Sequence, residues 1–286
     1  MIEKAVFSYY NAQDSYSHRA GFPSFKSLLY TTALSVLCAS RHFKEVQFVS
    51  NGWGVNLFRD LEFPVTTYST LLNEMKGVSR FFWAYGKLMT YCDQKTPFVH
   101  LDNDVFLWDP LPKRILEAEL CFQSHEPMHL EGYKYYRMLK KPWSEAQVRP
   151  QKIVDNEVTD FAYNCGICGG HNLEFFHEWK ACSEEYIFAE ANQELFFNKY
   201  VKILIHQNLF HEQYFAAALI KMHDMRKRVK VLAADAMKIE KKLKYTHLWG
   251  NTKMDASMMR RVELRLMVED RPLHDRIEKF VKKNKL

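Results

Sequence analysis

The chain has 286 residues, of which 47% are hydrophobic and 26% charged, as is usual for a soluble globular protein. Its formal net charge of +6 is uneven, because residues 221–286 carry 19 Lys and Arg against 9 Asp and Glu. No apolar run is long enough to span a bilayer, and the first residues lack the basic and apolar regions of a secretory signal. We therefore expect a cytoplasmic protein.

The basic C-terminal third has two interpretations. It suits a phosphorylated ligand or an anionic membrane surface, in which case the protein would lie peripherally at the inner face of a membrane. It is equally typical of a solvated helical face. No nucleic-acid recognition motif accompanies the charge, so a nucleic-acid partner is not expected.

Short apolar runs alternate with helical patterns along the chain. The predicted strands are 5–10, 46–50, 65–69, 98–101, 120–124, 201–205 and 229–232, and the longer predicted helices are 25–41, 80–92, 172–191 and 211–221. This alternation predicts an α/β fold with a mainly parallel central sheet flanked by helices. Residues 126–155 and 246–253 are predicted to be loops. We expect one domain over residues 1–254, with a basic helical C-terminal tail, 255–286, packed on it.

The run from Phe98 to Leu101 ends in Asp102-Asn103-Asp104. On extended backbone, Asp102 and Asp104 would point to one side and Asn103 to the other. Two carboxylates at the carboxyl end of a buried strand suit Mg²⁺ or Mn²⁺, which prefer oxygen ligands. The alternative is an ordinary polar turn.

Four short stretches occur in an order that resembles nucleotide-sugar glycosyltransferases of GT-A fold, a Rossmann-like architecture. The resemblance is closest to glycosyltransferase family 8, which includes glycogenin- and galactosyltransferase-like enzymes. The matching stretches are Gly86-Lys87-Leu88 before Asp102-Asn103-Asp104, then Asn164-Cys165-Gly166, then Glu212-Gln213, and last His247-Leu248-Trp249-Gly250-Asn251-Thr252-Lys253. The order covers roughly residues 1–255. Met254-Asp255 stands where the family continues with Pro-Trp, which leaves the donor and the anomeric outcome open.

The resemblance implies a role for each of these residues. Asp102, Asp104 and His247 would hold Mn²⁺ or Mg²⁺, and Lys253 and the Gly250 backbone would contact the donor diphosphate. The remaining implied donor contacts are Asn103, Lys87 and Tyr9, with the Tyr9 ring stacking on the base or, alternatively, lying in the core. Asn164 and Gln213 would bond sugar or acceptor hydroxyls, and Glu212 would be a general base or an ordinary acid of a first helical turn.

The expected function is that of a metal-dependent hexosyltransferase. It would move a hexose from a nucleotide diphosphate sugar, expected to be a UDP-sugar, to a hydroxyl of a glycan or lipid-linked saccharide. Two alternatives stay open: a non-catalytic nucleotide-sugar or glycan-binding protein of the same fold, and a nucleotidyltransferase. The sequence argues against a nucleotidyltransferase, because no Gly-rich phosphate loop follows the first predicted strand.

Overall fold

A computed structural model describes residues 1–235 and 244–286. Its strands are β1 (Lys4–Tyr9), β2 (Glu45–Ser50), β3 (Thr67–Ser69), β4 (Phe98–Leu101), β5 (Val105–Leu107), β6 (Leu120–Pro127), β7 (Phe161–Gly170), β8 (Val229–Asp235) and β9 (Tyr245–His247). Its α-helices are α1 (Phe25–Ser40), α2 (Gly52–Asp60), α3 (Trp83–Asp93), α4 (Lys113–Leu116), α5 (Tyr135–Glu145), α6 (Gln151–Val154), α7 (Leu173–Ile187), α8 (Glu190–Lys199), α9 (Gln207–Leu209), α10 (Phe215–Met222), α11 (Ala256–Glu269) and α12 (Arg271–Asn284). Among these residues, no helix combines the length and the apolar character needed to cross a bilayer.

The described residues form two compact units, each built from separate parts of the chain. Unit 1 contains residues 1–2, 77–99 and 112–235, and unit 2 contains residues 3–76, 100–111 and 244–286. The predicted boundary between 254 and 255 is not tested by this division and stays a prediction.

Unit 2 contains parallel strands and the C-terminal helices. Strand β1 pairs in parallel with β2, and β2 pairs in parallel with β3. Helix α1 is buried along almost its whole length, because it packs on β2, β5 and the helices α11 and α12. It begins after Ser24, whose side chain accepts a hydrogen bond from the Ser27 backbone N–H at 3.0 Å, as expected of an N-cap.

Unit 1 is built on β6, which pairs antiparallel with β7 and parallel with β8. The glycines of β7 allow its close contacts: a Cβ on Gly169 would lie 2.1 Å from the Phe98 carbonyl oxygen. A Cβ on Gly170 would lie 2.1 Å from the Glu119 carbonyl oxygen. The small residues of this strand are therefore a packing requirement.

The predicted α/β class, with a largely parallel sheet flanked by helices, is confirmed. Predictions of local structure were wrong at residues 201–205 and 126–155. Residues 201–205 form a 3-10 helix rather than a strand; Val201 and Ile205 are both 49% exposed, and only Leu204 of the segment is buried. Residues 126–155 hold the helices α5 and α6, because Tyr136, Leu139 and Trp143 on one face of α5 are buried.

Candidate metal site and buried polar network

The two carboxylates of Asp102-Asn103-Asp104 lie in a turn, which we call the acidic turn. Strand β4 ends at Leu101, and the Val105 N–H donates to the Asp102 carbonyl oxygen at 3.0 Å. The expectation of extended backbone is therefore corrected: the chain reverses here, and the turn rather than strand alternation brings Asp102 and Asp104 together. One carboxylate oxygen of each and a ring nitrogen of His247 all lie within 4.8 Å of one another.

A short antiparallel ribbon brings His247 to the acidic turn. Strand β9, in the segment predicted to be a loop, pairs with β5 so that His247 lies opposite Val105. The Leu248 N–H donates to the Asp104 carbonyl oxygen at 3.0 Å, which fixes the end of the ribbon. As a result, His247 Nε2 lies 3.4 Å from Asp104 Oδ1 although the two residues are far apart in sequence.

Asp104 is the most enclosed acid of the group, with 4% of its surface exposed. Burial by itself raises the pKa of its carboxyl group, but the charges and hydrogen bonds of Lys253 and His247 outweigh burial and lower the pKa. Lys253 Nζ lies 3.1 Å from Asp104 Oδ2. Asp104 is therefore a carboxylate at neutral pH, the form that binds cations.

Two polar atoms beside the acidic turn are buried without a hydrogen-bond partner among the described residues. Asn103 Nδ2 donates to the Ser8 carbonyl oxygen at 2.9 Å, but Asn103 Oδ1 has no donor. His247 Nδ1 is also without a partner. Most buried polar atoms in folded proteins are paired, so these two atoms are available to bond a water molecule or a ligand.

A 3-10 helix, Gly250–Met254, carries the last part of the site. Gly250 has φ +59°, and a Cβ added there would meet no atom within 4 Å. Backbone conformation, rather than lack of space, therefore favours glycine at this position. Lys253 projects from this helix, and its Nζ also lies 5.1 Å from the centre of the Phe22 ring.

Tyr9 does not present its ring to a ligand in this structure. It is 4% exposed, its ring lies edge-on to Phe58 at 5.7 Å, and its hydroxyl donates to the His18 carbonyl oxygen at 3.1 Å. Burial raises the pKa of Tyr9, so the hydroxyl stays protonated. These are the features of a core residue, and base stacking by Tyr9 stays a prediction.

In unit 1, Lys87 and Glu212 form a buried ion pair. Lys87 Nζ lies 2.6 Å from Glu212 Oε1 and donates to the Cys165 carbonyl oxygen at 3.2 Å. The two residues are 5% and 1% exposed. Glu212 lies in a π-helical segment, Phe210–Tyr214, rather than in the predicted first turn of an α-helix. Such segments are frequent at functional sites.

Asn164 and Gln213 belong to a second buried group, which we call the Glu126 network. Glu126 Oε1 accepts from Asn164 Nδ2 at 2.6 Å, and Glu126 Oε2 contacts the hydroxyls of Tyr135 and Tyr136. The Tyr136 hydroxyl also lies 2.5 Å from Gln213 Oε1. Burial, followed by the charge of Glu126, raises the pKa of both tyrosines, so they remain hydrogen-bond donors.

Two polar residues in these regions were missed by sequence reasoning. His100, 1% exposed, shares a hydrogen bond with Ser8 Oγ at 2.9 Å, and its Nδ1 lies 3.9 Å from Asp102 Oδ1. Glu126 is the other. The available signals were a histidine inside the apolar run Phe98–Leu101 and a glutamate near the end of the strand that begins at Leu120.

The ligand set at the acidic turn fits a divalent cation. The two carboxylates suit Mn²⁺ or Mg²⁺, whereas the imidazole favours a transition metal such as Mn²⁺ over Mg²⁺, which prefers oxygen ligands. Three protein ligands leave positions for phosphate oxygens. Lys253 supplies a further positive charge beside these positions. The arrangement is thus suited to bind a metal together with a phosphorylated ligand.

Comparison with solved structures gives distant similarities. The glycosyltransferase GlyE of Streptococcus pneumoniae TIGR4 aligns at TM-score 0.46 and 11% identity, over 98% of this chain and 64% of GlyE. The galactosyltransferase LgtC with donor and acceptor sugar analogs aligns at TM-score 0.43 and 14% identity, over 91% of this chain and 94% of LgtC. Apo mouse xyloside xylosyltransferase 1 aligns at TM-score 0.36 and 10% identity, over 81% and 85% of the two chains. At these values the alignments assign no activity or site residue to this protein.

No curated protein sequence matches the chain. A sequence profile described as a family of unknown function, DUF6734, matches residues 3–280. Because this match covers nearly the whole chain, the protein belongs to the DUF6734 family.

Proposed function

We propose that this protein is a metal-dependent glycosyltransferase of the kind that its motifs resemble. It would move a hexose from a nucleotide diphosphate sugar, with UDP-sugars as the expected donors, to a hydroxyl of a glycan or lipid-linked saccharide. One observation carries the proposal: Asp102, Asp104 and His247 converge within 4.8 Å beside the ammonium group of Lys253. The order of the four sequence motifs supports it.

In this proposal the residues of the acidic turn bind the donor. Asp102, Asp104 and His247 would hold Mn²⁺ or Mg²⁺, which when bound acts as a Lewis acid for the departing diphosphate. Lys253 and the Gly250 backbone would contact the diphosphate, and Lys supplies a compact positive charge. Asn103 Oδ1, which lacks a donor among the described residues, would accept a hydrogen bond from the donor's nucleoside part.

The reaction breaks the bond from the anomeric carbon to the diphosphate oxygen, and the bonding electrons leave with the nucleoside diphosphate. The acceptor oxygen bonds the anomeric carbon and loses its proton. Glu212 is our candidate base for an inverting reaction; the alternative is a purely structural role as the partner of Lys87. Stereochemical analysis of the product by NMR separates these roles, because a retained anomeric configuration would exclude Glu212 as the base of a single displacement.

Gln213 and Asn164 are proposed to bond sugar or acceptor hydroxyls. Gln213 is 5% exposed, and its Oε1 accepts a hydrogen bond from the Tyr136 hydroxyl at 2.5 Å. In this proposal Lys87 contacts the nucleotide-sugar donor.

A donor screen tests the proposed activity. The wild-type protein would be incubated with UDP-, GDP- and CMP-sugars and Mn²⁺, and release of the nucleoside diphosphate or monophosphate would be measured. We expect hydrolysis of one donor class, its loss with EDTA and its recovery with added Mn²⁺. Asp104→Asn should lower the rate about 1,000-fold, because it removes the charge of the most buried ligand. Asp109→Asn is the matched control, since Asp109 pairs with Lys244 at 2.8 Å and is not part of the cluster.

The alternatives give different outcomes in the same screen. A donor that binds but stays intact, with or without saccharide acceptors, would support a binding protein. Consumption of a nucleoside triphosphate and a sugar phosphate, with pyrophosphate released, would support a nucleotidyltransferase. If no donor is bound or hydrolysed by the wild-type protein, the proposal is wrong.

A peripheral membrane contact is a separate part of the proposal. The helices α11 and α12 carry Arg260, Arg261 and Arg265 and then Lys282 and Lys283, and such groups are attracted to anionic lipid. Sedimentation with phosphatidylserine vesicles at low salt, and release at high salt, is the expected result. A protein that stays in the supernatant at low salt would remove this part and leave the enzymatic proposal intact.

A further inference from the structure

The ammonium group of Lys253 lies where it competes with a metal ion. Its Nζ is 3.1 Å from Asp104 Oδ2, while His247 Nε2 is 3.4 Å from the other oxygen of the same carboxylate. Because the Asp104 side chain is 6% exposed, water screens these charges little. Asp104 thus has a positive partner inside the protein when no metal is bound.

A divalent ion at Asp102, Asp104 and His247 would change this arrangement. An ammonium group and a divalent cation on one enclosed carboxylate repel each other strongly, since charges interact much more strongly beside a protein than in bulk water. The Lys253 side chain is 24% exposed, so part of it already meets solvent. Its Nζ also lies 5.1 Å from the centre of the Phe22 ring, and it would give up this contact as well if it left Asp104.

We infer that Lys253 is an internal counter-ion that holds Asp104 in the metal-free protein and moves to the phosphates when metal and donor bind. This inference rests on the proposed function, and it adds that the ion pair with Asp104 must break. Binding of metal alone is then opposed by Lys253, whereas binding of metal with a diphosphate is favoured by it. The two ligands consequently raise each other's affinity, as linkage requires.

The test measures binding by calorimetry, with Mn²⁺ alone and then with inorganic pyrophosphate at saturating Mn²⁺. Lys253→Met should bind Mn²⁺ alone about tenfold more tightly than wild type and should bind pyrophosphate about tenfold more weakly, within the usual range of coupling between sites. Lys253→Arg keeps the charge and should behave more like wild type. Lys244→Met is the matched control, because Lys244 pairs with Asp109 and should affect neither affinity.

The outcomes separate the inference from the proposed function. If Lys253→Met binds Mn²⁺ no more tightly than wild type, the counter-ion role is overturned. The proposed metal site would still stand in that case if the wild-type protein binds Mn²⁺ and Asp104→Asn abolishes this binding. If wild type and Lys253→Met both fail to bind Mn²⁺, the metal site and the inference are both wrong. Lys253→Gln is measured alongside, with the melting temperature of each variant, so that a loss of folding in one substitution does not decide the result.

Discussion

The acidic turn of unit 2 and the Glu126 network of unit 1 are both enclosed and rich in polar groups, but they differ in how those groups are satisfied. In the Glu126 network, both carboxylate oxygens of Glu126 already accept hydrogen bonds from side chains of the same unit. At the acidic turn, Asn103 Oδ1 and His247 Nδ1 are buried without a partner among the described residues. Burial of polar side chains alone therefore does not identify a binding site, and unpaired polar atoms indicate one only beside converging ligand groups, since both ring nitrogens of His211 in unit 1 are also unpaired among the described residues.

Removal of one side chain from each region should show this difference most strongly. Glu126→Ala takes away the acceptor of Asn164 and of two tyrosine hydroxyls, so the free energy of unfolding should fall by about 4 kcal/mol. Asn103→Ala loses only the hydrogen bond to the Ser8 carbonyl oxygen and should cost about 1 kcal/mol. Urea denaturation of both variants measures the two values. Equal losses of unfolding free energy in the two variants would contradict the difference between a network whose carboxylate is fully hydrogen-bonded and a turn with unpaired polar atoms.

Adding a methyl group distinguishes the two units in a second way. Gly169→Ala would place Cβ 2.1 Å from the backbone oxygen of Phe98, so neighbouring strands must shift, at about 3 kcal/mol. In Gly250→Ala the added Cβ meets no atom within 4 Å, so only the unfavourable backbone conformation at φ +59° lowers the free energy of unfolding, by about 1 kcal/mol. Thermal or urea unfolding of the two variants would check the order. A larger loss for Gly250→Ala would show that the 3-10 helix of the site is more tightly packed than the structure indicates.

Unit 1 also contains a histidine whose contribution to the stability of the fold depends on pH. His211 is fully buried, neither ring nitrogen has a partner among the described residues, and burial lowers its pKa to about 3. The unfolded chain takes up this proton below about pH 6.5, whereas the folded protein does so only near pH 3. Stability should therefore fall as the pH drops below 6.5, with His211 accounting for about 2 kcal/mol of the loss at pH 5.

Replacing the histidine isolates this contribution. His211→Phe should lessen the loss of stability between pH 7 and pH 5 by about that 2 kcal/mol, measured by urea unfolding at each pH. His129→Phe, at an exposed position, is the matched control substitution. An unchanged pH dependence in His211→Phe would mean that the ring is reached by water or by a partner in solution.

Strands and helices with strong local patterns were predictable from the sequence. The run Phe98–Leu101 forms a strand, and the apolar face after Ser24 forms helix α1, as predicted. The segment 201–205 has an equally apolar pattern but forms a 3-10 helix with two of its side chains half exposed. A β-rich pattern becomes a strand only where a neighbouring strand supplies backbone partners, and such partners are a property of the tertiary fold.

The amino-acid sequence alone contained the order of the motifs and the residue types suited to a metal and a diphosphate. The sequence also carried the alternation that makes the fold α/β, because side-chain periodicity is a local property of the chain. The tertiary structure decided that Asp102 and Asp104 converge through a turn, that the β5–β9 ribbon brings His247 to them, and that Lys253 lies on Asp104. The contacts of His247 and Lys253 with the acidic turn join residues that are far apart in sequence, so the packing of unit 2 sets their distances, and side-chain periodicity carries no information about them.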